Sequence, residues 1–142
     1  MNIKRLKNPE QLMKHIFGME HEYVFVKDGV KQIDKGLHHL YQWWAERDGL
    51  ALIRNKRIHP KTGIIKAEVF MNEKWVKKTF FSANWSPKKV VDKIAESINN
   101  VKGCPPLSKG SWRLEAYTDC GVKIRTIIKK NGTGVTSYPI WE

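Results

Sequence analysis

Val122-Lys123-Ile124-Arg125-Thr126-Ile127-Ile128-Lys129-Lys130-Asn131-Gly132 is the stretch whose reading decides the fold. Val122, Ile124, Thr126 and Ile128 alternate with Lys123, Arg125 and Ile127, the two-residue period of a strand with one buried face. Asn131-Gly132 is the strongest hairpin signal in the chain and predicts a type I′ turn, which needs positive φ at both central residues. Gly134 to Ile140 then returns as the last strand. On the N-terminal side, Trp112 to Tyr117 reads as a strand and Asp119-Cys120-Gly121 as the turn between them. The C-terminal part is therefore an antiparallel meander.

Further upstream, Ser86-Pro87 opens the clearest helix, with Ser86 as N-cap, Pro87 at the first position, and Val90, Val91, Ile94 and Ile98 as its apolar face. Val101 to Gly110 reads as a loop. Lys74 to Phe81, Ile64 to Met71 and Ala51 to Ile58 read as strands, and Leu37 to Arg47 as a helix from the spacing of Leu37, Leu40, Tyr41 and Trp44. Tyr23 to Val26 and Val30 to Ile33 form a hairpin around Asp28-Gly29. Asn8-Pro9-Glu10-Gln11 starts a helix that carries Leu12, Met13 and Ile16 inward and ends at Gly18. The expected class is α+β, with N-terminal helices followed by antiparallel sheets.

At 142 residues the chain is read as one domain spanning 1–142, and 41% hydrophobic residues suffice for a core. The apolar runs are too short to span a membrane, and no signal peptide is visible behind the basic N-terminus. Cys104 and Cys120 form no metal-ligand pair and no disulfide framework, and are read as free thiols. Lys and Arg number 26 against 14 Asp and Glu, a formal charge of +12. That excess points to a polyanionic partner, with nucleic acid ahead of an acidic membrane surface. No helix-turn-helix or zinc-ligand spacing argues for DNA.

Three short pieces stand in order: Lys14-His15-Ile16-Phe17-Gly18, Gly36-Leu37-His38-His39 and Thr136-Ser137-Tyr138-Pro139. Between them lie Lys78-Thr79-Phe80-Phe81 and Asn84-Trp85-Ser86-Pro87. This arrangement resembles the EndoU endoribonuclease family, and its bacterial members in particular, over roughly residues 12 to 142. The resemblance implies an EndoU-like RNase fold of the barnase/EndoU/colicin/RelE type. It also implies a nuclease that needs no cofactor and no metal. RNA carries its own nucleophile, the 2′-OH, so cleavage needs a base, an acid for the departing 5′-oxygen and a cation at the phosphorane.

By the resemblance, His15 is the general-acid and His38 the general-base candidate, with the two roles exchangeable. They stand 23 residues apart, longer than the family's usual gap, and the hairpin between Glu22 and Ile33 accounts for the excess. That hairpin leaves His21 as a rival first histidine. His39 points away from its neighbour and is read as structural. Lys77 and Lys78 are both open as the catalytic cation, and Lys78 with Ser82 reproduces the family's Lys-x-x-x-Ser spacing.

Thr136 and Tyr138 share one face of the last strand and are the substrate-binding candidates, Tyr138 by stacking and Thr136 at a base edge. Trp43, Trp44, Trp75, Trp85 and Trp112 are assigned to packing. The expected partners are single-stranded RNA, with tRNA as one candidate, and a cognate acidic immunity protein. The expected setting is a monomeric toxin domain delivered as part of a larger secreted protein and acting in the cytoplasm of a target cell. The alternative is a basic RNA-binding module without catalysis.

Overall fold

The structure is a computed structural model that describes residues 9–17, 24–27, 30–33, 38–39 and 52–142. Helix α1 spans Pro9–Phe17. The strands are β1 (Val24–Lys27), β2 (Val30–Ile33), β3 (Ile53–Ile58), β4 (Ile65–Met71) and β5 (Lys74–Phe80). Helix α2 (Pro87–Asn99) follows, and then β6 (Leu107–Ser108), β7 (Ser111–Tyr117), β8 (Lys123–Lys129) and β9 (Gly134–Ile140).

The strands form two sheets. In the first, β4 pairs antiparallel with β3 and β5, and the β1–β2 hairpin joins through one parallel bridge, Ile33 to Met71. The second is the meander β6-β7-β8-β9, antiparallel throughout. The class is α+β and is consistent with an EndoU-like nuclease fold.

The helices are not confined to the N-terminus, which corrects the expected order. Helix α2 stands between the sheets in sequence and packs on β7 and β8. Its start follows from Ser86, whose hydroxyl accepts the backbone N–H of Lys89, with Pro87 behind it. Val90, Ile94 and Ile98 are buried against Val122, Ile124 and Ile128 of the β8 segment, and Leu12 and Ile16 of α1 close the same core. Phe81 and Trp85 stack in it with ring centroids 6.0 Å apart. Thr126 shares this buried face, and its hydroxyl pairs with that of Ser137 at 2.9 Å, as a buried polar group requires.

Two local expectations are corrected. The first is the helix expected from Leu37. His38 and His39 are extended, and His39 forms a parallel bridge with Phe81. Backbone groups at the ends of α1 and β5 bind this segment, so His38 and His39 do not take the helical form that the spacing predicts for them. Residues 40–47 of that expected helix, with Trp43 and Trp44, lie outside the described residues, as do the Asn8 cap and the Gly18 stop. The second is the turn at Asn131-Gly132. Only Gly132 takes positive φ (91°), and the loop is one residue longer than the type I′ form. Gly132 N–H donates to Lys129 C=O and Lys129 N–H to Thr133 C=O, the pattern of a turn followed by a glycine bulge. The Asn131 side chain accepts the Thr133 N–H, which favours this longer loop.

Within the expected loop from Val101 to Gly110, Leu107–Ser108 forms the short strand β6. Cys104 and Cys120 are free and exposed. Truncation should separate core packing from capping. Ile94→Ala is expected to cost about 2–5 kcal/mol and Ser86→Ala about 1 kcal/mol, read from denaturant unfolding.

Candidate active site

The site is assembled from both sheets and from α1. The 38–39 segment runs between α1 and the end of β5, where His38 N–H donates to Ile16 C=O at 2.6 Å and Phe81 N–H to His38 C=O at 2.9 Å. These bonds place the His38 ring beside His15, which α1 presents one residue before Ile16. The two Nε2 atoms are 3.3 Å apart, and the ring centroids are 5.2 Å apart. On its other side His38 meets β9, whose Thr136 hydroxyl lies 2.9 Å from the same Nε2. The Tyr138 ring is 5.6 Å from the His38 ring. Thr136 and Tyr138 thus face the histidines together, as residues two apart on a strand must.

Register separates the two lysines. Lys78 lies directly opposite Ala67, on the face of the first sheet that carries buried Ile65, Ala67, Val69, Met71 and Phe80. Lys77 lies opposite Glu68, on the exposed face. A pocket of about 480 Å³ is lined by His38, Lys78 and Tyr138, and also by Lys77 and Thr79 of β5. The five residues His15, His38, Lys78, Thr136 and Tyr138 converge; Lys77 borders the pocket from the solvent side. His21 lies outside the described residues.

Burial sets the electrostatics. His38 is 8% exposed, and its Nδ1 has no hydrogen-bond partner among the described residues. Its pKa is held well below the ordinary 6.5, first by loss of hydration and then by the nearby Lys78 and His15 charges. The imidazole is therefore neutral near pH 7 and able to accept a proton. Lys78 is brought down to about 7 by desolvation, so its ammonium is poised between charged and neutral.

His39 is completely buried, with its pKa brought to about 4 by desolvation, partly offset by the nearby Trp85 and Ser82 backbone, which favours the charged ring. A phosphate contact by His39 is excluded by that burial. Trp85 is core, Trp75 packs against Phe70 and under Arg54, and Trp112 is half-buried on β7. His59 belongs to a turn: its Nδ1 faces the N–H groups of Lys61 and Thr62.

Sequence reasoning missed Arg125. Glu115, Arg125 and Tyr138 are directly opposite one another on β7, β8 and β9. Arg125 Nη1 donates to the Tyr138 hydroxyl at 3.0 Å, and Glu115 holds the guanidinium from behind. The alternation of β8 assigns Arg125 to the face opposite Ile124, but only the β8–β9 register puts it beside Tyr138. Among the described residues no group of three His, Cys, Asp or Glu side chains is arranged to hold a metal ion.

The bacterial EndoU nuclease family profile matches residues 10–141, so the chain belongs to that family and is an endoribonuclease. No curated protein and no solved structure gives a significant match.

The depressed Lys78 pKa has a signed consequence for stability. Between about pH 7 and the unfolded-state value near 10.4 the unfolded chain binds the extra proton, so burial of this lysine costs most below pH 7. Lys78→Met is expected to raise the melting temperature most below pH 7, with the gain fading towards pH 10. Thermal unfolding of both proteins across that range checks it.

Proposed function

We propose that this EndoU nuclease cleaves single-stranded RNA by transphosphorylation, within a single domain covering residues 1–142. The observation that carries the reading is the approach of the His15 and His38 Nε2 atoms to 3.3 Å beside a pocket that His38 lines together with the desolvated Lys78. His38 takes the proton from the 2′-OH, which suits its neutral imidazole at neutral pH. The 2′-oxygen attacks the adjacent phosphorus. As the bond from phosphorus to the 5′-oxygen breaks, the His15 imidazolium gives its proton to that leaving oxygen. The products are a 2′,3′-cyclic phosphate and a 5′-OH. The Nε2 atoms of His15 and His38 are too close to leave room for a phosphate directly between them. Substrate therefore sits across the mouth of the pair, towards Lys78 and Tyr138.

Lys78 is the cation for the phosphorane in this reading. Its amine is near its pKa in the empty pocket, and an entering phosphate favours the charged form. Lys77, exposed on the other face, is left to attract the strand. Thr136 holds His38 through its hydroxyl and can also reach a base edge. Tyr138, fixed by Arg125, offers a ring for a ribose or base to stack on. A uridine at the scissile position and a tRNA substrate are the finer forms of this proposal.

The likeness to bacterial EndoU toxin domains supports a biological setting to match. The chain would be the monomeric toxic part of a larger secreted protein, delivered into a target cell's cytoplasm and neutralised in its producer by an acidic immunity protein. The charge of +12 favours such a partner as well as RNA.

Incubation with single-stranded RNA in EDTA is expected to give cyclic-phosphate ends and no cut in a 2′-deoxy substrate. Binding without cleavage would instead favour the non-catalytic module. His15→Ala and His38→Ala should each lower the rate about 10²–10⁴-fold while RNA binding persists. Lys78→Ala should cost about 10²–10³-fold and Lys77→Ala far less. Wild-type rates in both histidine variants would place the site elsewhere.

A further inference from the structure

The exposed face of the first sheet carries a second concavity, of about 600 Å³, lined by Asn55, Lys56, Arg57, Lys66, Glu68 and Lys77. It shares Lys66 and Lys77 with the pocket that contains His38 and Lys78, so the two are contiguous across β5. Register makes the path explicit. Arg57 of β3 is directly opposite Lys66 of β4, and Lys66 is directly opposite Thr79 of β5. Thr79 in turn donates its hydroxyl to Pro139 C=O, the neighbour of Tyr138.

Like charges directly opposite one another destabilise a sheet, so the Arg57–Lys66 pair calls for an anion that comes from outside. Glu68, the carboxylate in this lining, is engaged by the Asn55 amide and by Arg54 Nε at 3.4 Å. The bulge in β3 adds a second feature. Its register shifts between Arg54 and Arg57, Asn55 takes φ of 56°, and Lys56 and Arg57 are both exposed. Bulges on edge strands re-aim side chains, and here the edge presents cations where a strand leaving the pocket would run.

We propose that this groove on β3, β4 and β5 is an RNA-backbone subsite that holds phosphates flanking the cleaved linkage. The proposal rests on the reading that the His38 pocket takes RNA. An oligonucleotide is the occupant that fits, because spaced cations on a polar floor match a repeating anion and carry no base-specific readout. The subsite would make affinity depend on substrate length and on salt, while the chemistry at the scissile phosphate stays with the pocket.

The test uses the full chain with the double substitution Lys56→Ala and Arg57→Ala. A second double substitution, Lys129→Ala and Lys130→Ala, removes the same charge from the exposed β8–β9 turn. Binding is measured to a single-stranded RNA methylated at its 2′-oxygens, and cleavage to a dinucleotide and to a longer RNA. The groove variant should melt as the parent does and cleave the dinucleotide with unchanged kcat and KM. Its KM for the longer RNA should rise, and its log–log salt slope of binding should become shallower by about 1.4, at about 0.7 per cation on a single strand. The turn variant should leave that slope unchanged.

Equal slopes in the parent and a folded groove variant would overturn the proposal, as would an equal effect from the turn variant. Loss of dinucleotide cleavage in the groove variant would overturn it too. A groove-dependent slope in a parent that does not cut RNA would uphold the subsite and remove the catalytic reading.

Discussion

Two backbone hydrogen bonds hold His38 where it is, and the candidate site depends on them. One joins its N–H to the last turn of α1, and the other joins its carbonyl to Phe81 at the end of β5. A helix and a strand from distant parts of the chain are thereby tied to one residue. The bonds are short and lie beside the fully buried His39, Phe81 and Ile16, so water has little access to compete for them. His39 acts in this arrangement as a polar plug. Its imidazole is kept neutral by burial beside the Ser82 and Trp85 backbone. The adjacent pair of histidines divides its labour by burial: one completes the wall, the other faces the pocket.

A second constraint is electrostatic. A chain with a large excess of positive charge buries a lysine and a histidine near each other, on a pocket lining that holds no carboxylate among the described residues. The fold carries the cost of desolvating both. In the proposed mechanism the cost is useful, because a doubly negative transition state would restore the charge that burial suppresses. Carboxylates near the site act at one remove. Glu115 steadies Arg125, which steadies Tyr138, so negative charge contributes to positioning.

Much of this was legible in the sequence, for identifiable reasons. The alternation of Val122, Ile124, Thr126 and Ile128 survives intact because one face of β8 is fully buried under α2. Ser86-Pro87 marked the start of α2 because cap chemistry is local. What failed was non-local. The helical spacing from Leu37 does not hold at His38 and His39, where an open strand end competes for backbone bonds. Lys77 and Lys78 could not be told apart until β4 supplied their cross-strand neighbours, Glu68 and Ala67. Arg125 gave no signal of its own, since its partner Tyr138 is defined by register and not by spacing. His15 and His38 were readable as chemistry, but their approach to 3.3 Å depends on how α1 and the 38–39 segment meet.

Pro139 has a meaning beyond its place in the terminal motif. Strands β5 and β9 are free edges of their respective sheets among the described residues, and they come together at the pocket. Two such edges brought together can zip into a continuous ladder, which in the proposed mechanism would seal the mouth that admits substrate. Proline has no N–H to donate, so at this position the contact is made by the Thr79 hydroxyl donating to the Pro139 carbonyl. The same missing donor makes the last strand a poor template for a strand from another molecule. At this position the last strand therefore offers β5 an acceptor and no donor.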